Sequence, residues 1–259
     1  MLKAPEKKPS YLELERKFEA QVKQDKITFK DQIEEAYFVP NPYFSSDPKY
    51  CLIALEPSFG LQRELIKVEF LNSFKNFLIH YCAYNYLCKG SFDYHITDIS
   101  KSAMKAKEAG APGIRSLVYK NWLPLLKEEL QVLSGGNKHT PKVITIGKTV
   151  QSHLENCEPP IKVAKNVLHY SENNNSRFMK YVAGLGSKSS LEYDILFDNV
   201  RVFGIVLMKY LNFSIEDMDY KLNPANGIFN KDGFSENRKN QHLNRFYYYK
   251  TEFENISNQ

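Results

Sequence analysis

The sequence has no apolar run approaching the roughly 18 residues that a membrane-spanning helix requires, so no membrane partner is expected. Its opening, MLKAPEKKPS, is basic but leads into no apolar core, so no secretory signal is expected there. Cysteine is scarce. Cys51, Cys82, Cys88 and Cys157 form no CxxC pair and have no zinc-type spacing with histidine, which excludes the usual metal-finger and redox patterns. Buried, incidental thiols in a reducing compartment, the cytoplasm, are the expectation. Internal repeats and low-complexity tracts are absent. What is present is 259 residues with 42% hydrophobic content, enough for a packed core. The formal net charge of +5 is compatible with a polyanionic partner. The aromatic surplus, 17 Tyr and 17 Phe, asks for an explanation.

Strand and helix patterns alternate along the chain. A charged helical pattern covers Tyr11 to Val22, and PNPYF and SSDP follow as turns. YCLIAL, Tyr50 to Leu55, reads as a buried strand. Leu65 to Leu87 carries Phe70, Phe74, Phe77 and Tyr81 at helical spacing. YHITDI, Tyr94 to Ile99, is a second strand. Pro112 opens a helix with Trp122, Leu126, Leu130 and Leu133 on one face. VITI, Val143 to Ile146, is a third strand, Lys148 to Glu155 a short helix, and Val163 to Leu168 a fourth strand. Leu191 to Leu211 is helical. This order predicts an α/β fold: a single-domain three-layer sandwich with a central, mostly parallel four-stranded sheet flanked by helices. A helical extension is expected over 1–45, the α/β domain over 46–215, and a basic, aromatic segment packing on the same domain over 216–259. That last segment interleaves Arg238, Lys239, Arg245 and Lys250 with Phe246, Tyr247, Tyr248 and Tyr249. Such a mixture suits either a nucleic-acid surface or aromatics packed on a core.

Ligands of parallel sheets bind at the C-terminal strand ends, so polar chemistry is expected there. The first strand ends in Ala54-Leu55-Glu56-Pro57-Ser58-Phe59-Gly60, which brings a carboxylate to that rim. The second ends in Ile96-Thr97-Asp98-Ile99-Ser100-Lys101, which brings another. The third ends in IGKT, Ile146 to Thr149. A phosphate loop would need glycine where Lys142 stands, so a Walker ATPase is not expected. Gly147 and Lys148 still make a reasonable single-phosphate turn. The fourth ends in His169-Tyr170-Ser171, with Arg177 six residues on. Each residue alone also has an ordinary structural use: Glu56 as a solvated turn, Asp98 as a turn cap, His169 as a packed ring.

The ordered set ALEPS, ITDISK, KVITIGKTVQ and HYSENNNSR resembles the uracil-DNA glycosylase superfamily over roughly residues 50 to 180. That family carries a first motif of the GQDPY type, a TN-like strand end, a Gly-Lys-like turn and a closing HPSP…R. Here Ala54, Glu56, Ser58 and Tyr170 depart from it. The resemblance implies hydrolysis of the N-glycosidic bond of a nucleotide flipped out of DNA, leaving an abasic site, by a monomer without metal or cofactor. By position, Glu56 would orient water and stabilise the sugar cation, and His169 would donate to the departing base. Lys101, Gly147, Lys148, Ser171, Asn173 and Arg177 would hold the DNA backbone. Phe59 or Phe70 would stack on the base.

Asp98 stands where relatives place Asn. An ionised Asp only accepts hydrogen bonds, so it would reject uracil O4 and accept from the amino group of cytosine. Ser58 in place of Tyr leaves room for a substituent at C5. The resemblance thus implies a glycosylase for C5-modified cytosine, such as the glucosylated hydroxymethylcytosine of some phage DNA, with an antiviral role. A uracil-DNA glycosylase of base-excision repair and a non-catalytic nucleic-acid-binding module are the alternatives.

Overall fold

The structure, a computed structural model, describes residues 6–31, 33, 36–59, 70–105, 113–135, 140–171, 174–185, 189–223, 228–230 and 233–259. The chain forms two compact units, one built from 5–69 and 93–167, the other from 1–4, 70–92 and 168–259. The fold is α/β, with a four-stranded parallel sheet and flanking helices, as the alternation of apolar runs predicts.

The sheet lies in the first unit. Its strands are β2 (Tyr50–Ala54), β4 (Tyr94–Asp98), β6 (Lys142–Ile146) and β7 (Val163–Val167). All neighbouring pairs are parallel, in the order β4-β2-β6-β7. β2 and β4 are buried at every position, which explains why both read as continuous apolar runs. A smaller sheet, absent from the sequence reading, joins β1 (Ala36–Phe38), β5 (Ser102–Lys105) and β3 (Ser58–Phe59) in the order β1-β5-β3.

Among its described residues this unit also has the helices α1 (Pro9–Thr28), α3 (Ile114–Leu133) and α4 (Lys148–Glu155). In α1 the buried residues Tyr11, Leu14, Phe18, Val22 and Asp25 recur every three or four positions, one apolar stripe. In α3, Trp122, Leu126, Leu130 and Leu133 form the matching stripe. The two stripes join one core that also holds Cys51, Ile53 and Val143 of the sheet. A buried polar contact crosses this core, where Trp122 Nε1 donates to Asp25 Oδ2 at 2.6 Å. Burial pushes the Asp25 carboxyl up, against the pull of that bond. Trp122→Phe removes the donor and leaves a buried acceptor short of a partner, so it should cost about 1–3 kcal/mol in urea unfolding. A cost near zero would mean that water replaces the indole N–H.

The second unit is helical. α2 (Phe74–Cys82) runs into a π-helical turn (Ala83–Leu87), followed later in the chain by α5 (Asn175–Val182), α6 (Ser190–Tyr210), α7 (Ile215–Leu222) and α8 (Glu236–Ser257). Ser189 and Glu192 close a capping box on α6. Within the unit α8 packs on α2, the π turn, α5 and α6. Its Tyr248, Tyr249, Phe253 and Ile256 are buried, and Tyr249 Oη donates to Leu168 O at 2.6 Å. Part of the aromatic surplus of the tail is therefore core. Phe70 corrects a further expectation. It lies before α2 rather than on its stripe, in a left-handed turn with φ 55°, and is 5% exposed. No helix among the described residues is long and apolar enough to cross a membrane.

Candidate active site

The strand order locates the crevice of the first unit. The chain leaves β2 toward β4 on one side and β6 toward β7 on the other, so the C-terminal ends of β2 and β6 flank a topological switch point. Glu56 follows β2 by two residues, and Gly147 and Lys148 follow β6. The register sets Asp98 beside Ala54 on the neighbouring strand. The fold thus brings together the carboxyls of two motifs 42 residues apart in sequence.

Glu56 is no solvated turn residue. Its side chain is 2% exposed and gripped from α3. Arg115 Nη2 donates to Oε1 at 2.7 Å, Arg115 Nε donates to Oε1 at 3.1 Å and to Oε2 at 3.3 Å, and Tyr119 Oη donates to Oε2. Burial pushes the Glu56 carboxyl up, while the bonds from Arg115 and Tyr119 and the guanidinium charge pull it down. Arg115 and Tyr119 stand one turn apart on α3, so a single helix face delivers both. The Tyr119 ring also meets His153 of α4 edge-on, with centroids 4.8 Å apart. The sequence reading missed Arg115 and Tyr119, because nothing local pairs them with a residue about 60 positions earlier.

Asp98 has the opposite surroundings. It is 4% exposed, and among the described residues no donor meets its carboxyl. Burial pushes it up to about 8; the charge of Lys101 opposes this, and those of Glu56 and Glu129 add to it. The direction of this shift runs against the premise that Asp98 is an acceptor-only carboxylate. Its protonated form, which burial favours, both donates and accepts, as Asn does.

Lys101 is the second correction. It is 2% exposed and cannot reach a DNA phosphate. Its ammonium lies 3.0 Å from Glu129 Oε2 and donates to Thr97 Oγ1 at 2.5 Å and to Asp98 O. Glu129 is itself fully buried on α3. It also accepts from Tyr11 Oη at 2.9 Å and Thr97 Oγ1 at 3.1 Å, and faces His95 Nε2 at 3.3 Å. Burial resists its charge, yet Lys101 and His95 bring the carboxyl down to about 2. Glu129 was missed as well, although a charged residue on the apolar stripe of Trp122, Leu126 and Leu133 was a legible signal.

Gly147 takes the left-handed φ of 110°, which favours glycine. Its N–H donates to Val167 O at 2.7 Å, so that donor is already used and is not free for a phosphate. Lys148 is exposed at the start of α4. Ser58 and Phe59 form β3, whose backbone pairs with Met104 and Lys105; their side chains lie outside the described residues, as does Asn173.

His169, Ser171 and Arg177 fall in the helical unit. Ser171 N–H donates to His169 Nδ1 at 3.1 Å, which places the proton of a neutral imidazole on Nε2. The ring stacks on Tyr170 with centroids 4.4 Å apart. Asn174 ties the turn together, donating to His169 O at 2.9 Å and accepting from Arg177 Nη1 at 3.3 Å. Arg177 itself is exposed. Among the described residues no group of three His, Cys, Asp or Glu is arranged to hold a metal ion. No family model, curated protein or solved structure matches the chain.

Proposed function

We propose that the chain is a DNA glycosylase that hydrolyses the N-glycosidic bond of a flipped-out base, favouring a C5-modified cytosine. The observation that carries this reading is the asymmetry of two carboxyls at one rim. Glu56 is held by a guanidinium, whereas Asp98 is buried with no donor to its carboxyl among the described residues, and burial favours its protonated form. Paired carboxyls with opposed environments are the usual equipment for general acid and base in glycoside chemistry.

In this reading the bond between C1′ and the base breaks with its electron pair passing to the base. Asp98 delivers its proton to the ring nitrogen N3, so the base departs neutral. Water attacks C1′ and loses its proton to Glu56 or through it to solvent. The ionised Glu56 also stabilises positive charge on the sugar. To accept that proton Glu56 must loosen part of its hold on Tyr119 or Arg115. Lys148, exposed at the start of α4, is the contact proposed for a phosphate.

Cytosine suits a neutral Asp98 because its N3 carries a free lone pair, while N3 of uracil already bears a proton. The same neutral acid, however, mimics Asn in donating to O4 and accepting from N3–H, which supports a uracil-DNA glycosylase as the second reading. Duplexes carrying uracil, cytosine, 5-hydroxymethylcytosine or its glucosylated form, cleaved by alkali at abasic sites, separate the two. Release of the modified cytosines is expected, with Glu56→Gln slower by about 10²–10⁴-fold. Release of uracil alone would sink the cytosine assignment. No release from any duplex would leave a binding module. Charge reversal at exposed Lys148 should weaken duplex binding regardless of base sequence and flatten its salt dependence.

A further inference from the structure

Within the helical unit, α5 and α8 enclose an open groove of about 540 Å³. Carboxamides dominate its lining: Asn175 from α5, and Asn237, Asn240, Gln241 and Asn244 from α8, beside the apolar side chains of Met179 and Val182. Among the described residues no charged side chain lines it. Asn175 is engaged, accepting from Arg245 Nη2 at 2.5 Å. Among the described residues the carboxamides of Asn237, Asn240 and Gln241 neither donate nor accept a hydrogen bond. Asn is a poor helix former, and a purely solvated helix face is better served by Lys, Glu or Gln. Asn240 and Asn244, inside the helix, carry a conformational cost relative to Lys, Glu or Gln.

A carboxamide presents one acceptor and two donors without charge. Its natural complement is another amide. An extended polypeptide offers such groups on one side at every second residue, about 6.6–6.8 Å apart. Residues four apart on a helix rise about 6 Å. Asn237 and Gln241 are spaced this way. Single-stranded nucleic acid needs cationic and stacking groups, and the groove lining supplies neither. Met179, 58% exposed, offers an adaptable apolar contact for one side chain of the occupant.

We propose that this groove binds an extended polypeptide segment, reading its backbone through the amide ladder of α8. The occupant is a strand-like peptide without proline at the paired positions and with one apolar side chain against Met179. The proposal is independent of the glycosylase reading. The full chain is used to select from a displayed library of random nonapeptides, and the enriched peptides are titrated by fluorescence anisotropy. The Asn237→Ala/Gln241→Ala variant alters groove-lining positions outside the core and should keep the wild-type circular dichroism spectrum. It should weaken peptide binding at least tenfold. Backbone N-methylation at alternate residues should cost a similar factor, with the intervening positions tolerant. Three outcomes would overturn the proposal: no peptide enriched above the double variant, peptides that bind both proteins equally, or peptides indifferent to N-methylation. Binding of a 12-nucleotide single strand that the same double variant abolishes would assign the groove to nucleic acid instead.

Discussion

Glu129→Gln should destabilise the protein by about 3–5 kcal/mol, the cost of breaking a buried ion pair from one side. Glutamine keeps the volume and an acceptor, but it leaves the ammonium of Lys101 buried without an opposing charge. Tyr11, Thr97 and His95 lose the carboxylate on which they converge. For a chain of this size the loss corresponds to a fall in Tm of roughly 10 °C. Lys101→Met combined with Glu129→Gln should recover much of it, because the uncompensated charge is then gone. Urea unfolding of the two single variants and the double variant gives the coupling. If the single variant loses under 1 kcal/mol, or the double variant is as unstable as the sum of the singles, the network is not a closed ion pair. The sign of the pH effect follows from the lowered carboxyl: Glu129 stabilises above its ordinary range near 4.5, and this contribution disappears as pH falls toward about 2.

Asp98→Asn is the second large effect, and its sign is reversed. The folded chain holds a proton on Asp98 up to about pH 8, whereas the unfolded chain releases it near 4. Between those values the native state binds the extra proton, so stability falls as pH rises, by about 1.4 kcal/mol per pH unit from this group. Asparagine has no such proton. The variant should match the wild type at and below about pH 4 and become the more stable protein by several kcal/mol at pH 8–9. Parallel unfolding curves for the two proteins from pH 5 to 9 would show that Asp98 is ionised throughout. The same substitution tests the chemistry separately, because Asn reproduces both hydrogen bonds of a neutral acid but cannot transfer a proton. In the proposed reaction it should slow base release by about 10²–10⁴-fold while leaving duplex binding unchanged.

The four parallel strands and the stripes of α1 and α3 were legible because their signal is local. β2 and β4 are buried along their whole length, so they read as apolar runs, and each helix repeats its core residues every three or four positions. The strand ends then told where polar chemistry would gather, and Glu56 and Asp98 do meet at one edge. β1, β3 and β5 were not legible, since two to four residues carry no periodicity and their pairing is decided by distant partners. Charge state was even less so. Sequence alone offered two carboxylates and a phosphate-seeking lysine. The folded chain clamps Glu56 with Arg115 and Tyr119, buries Lys101 against Glu129, and buries Asp98 where no donor among the described residues meets its carboxyl and desolvation favours the protonated form. Side-chain type is a property of the sequence, but ionisation depends on desolvation and on neighbours dozens of residues away, and only tertiary structure supplies those.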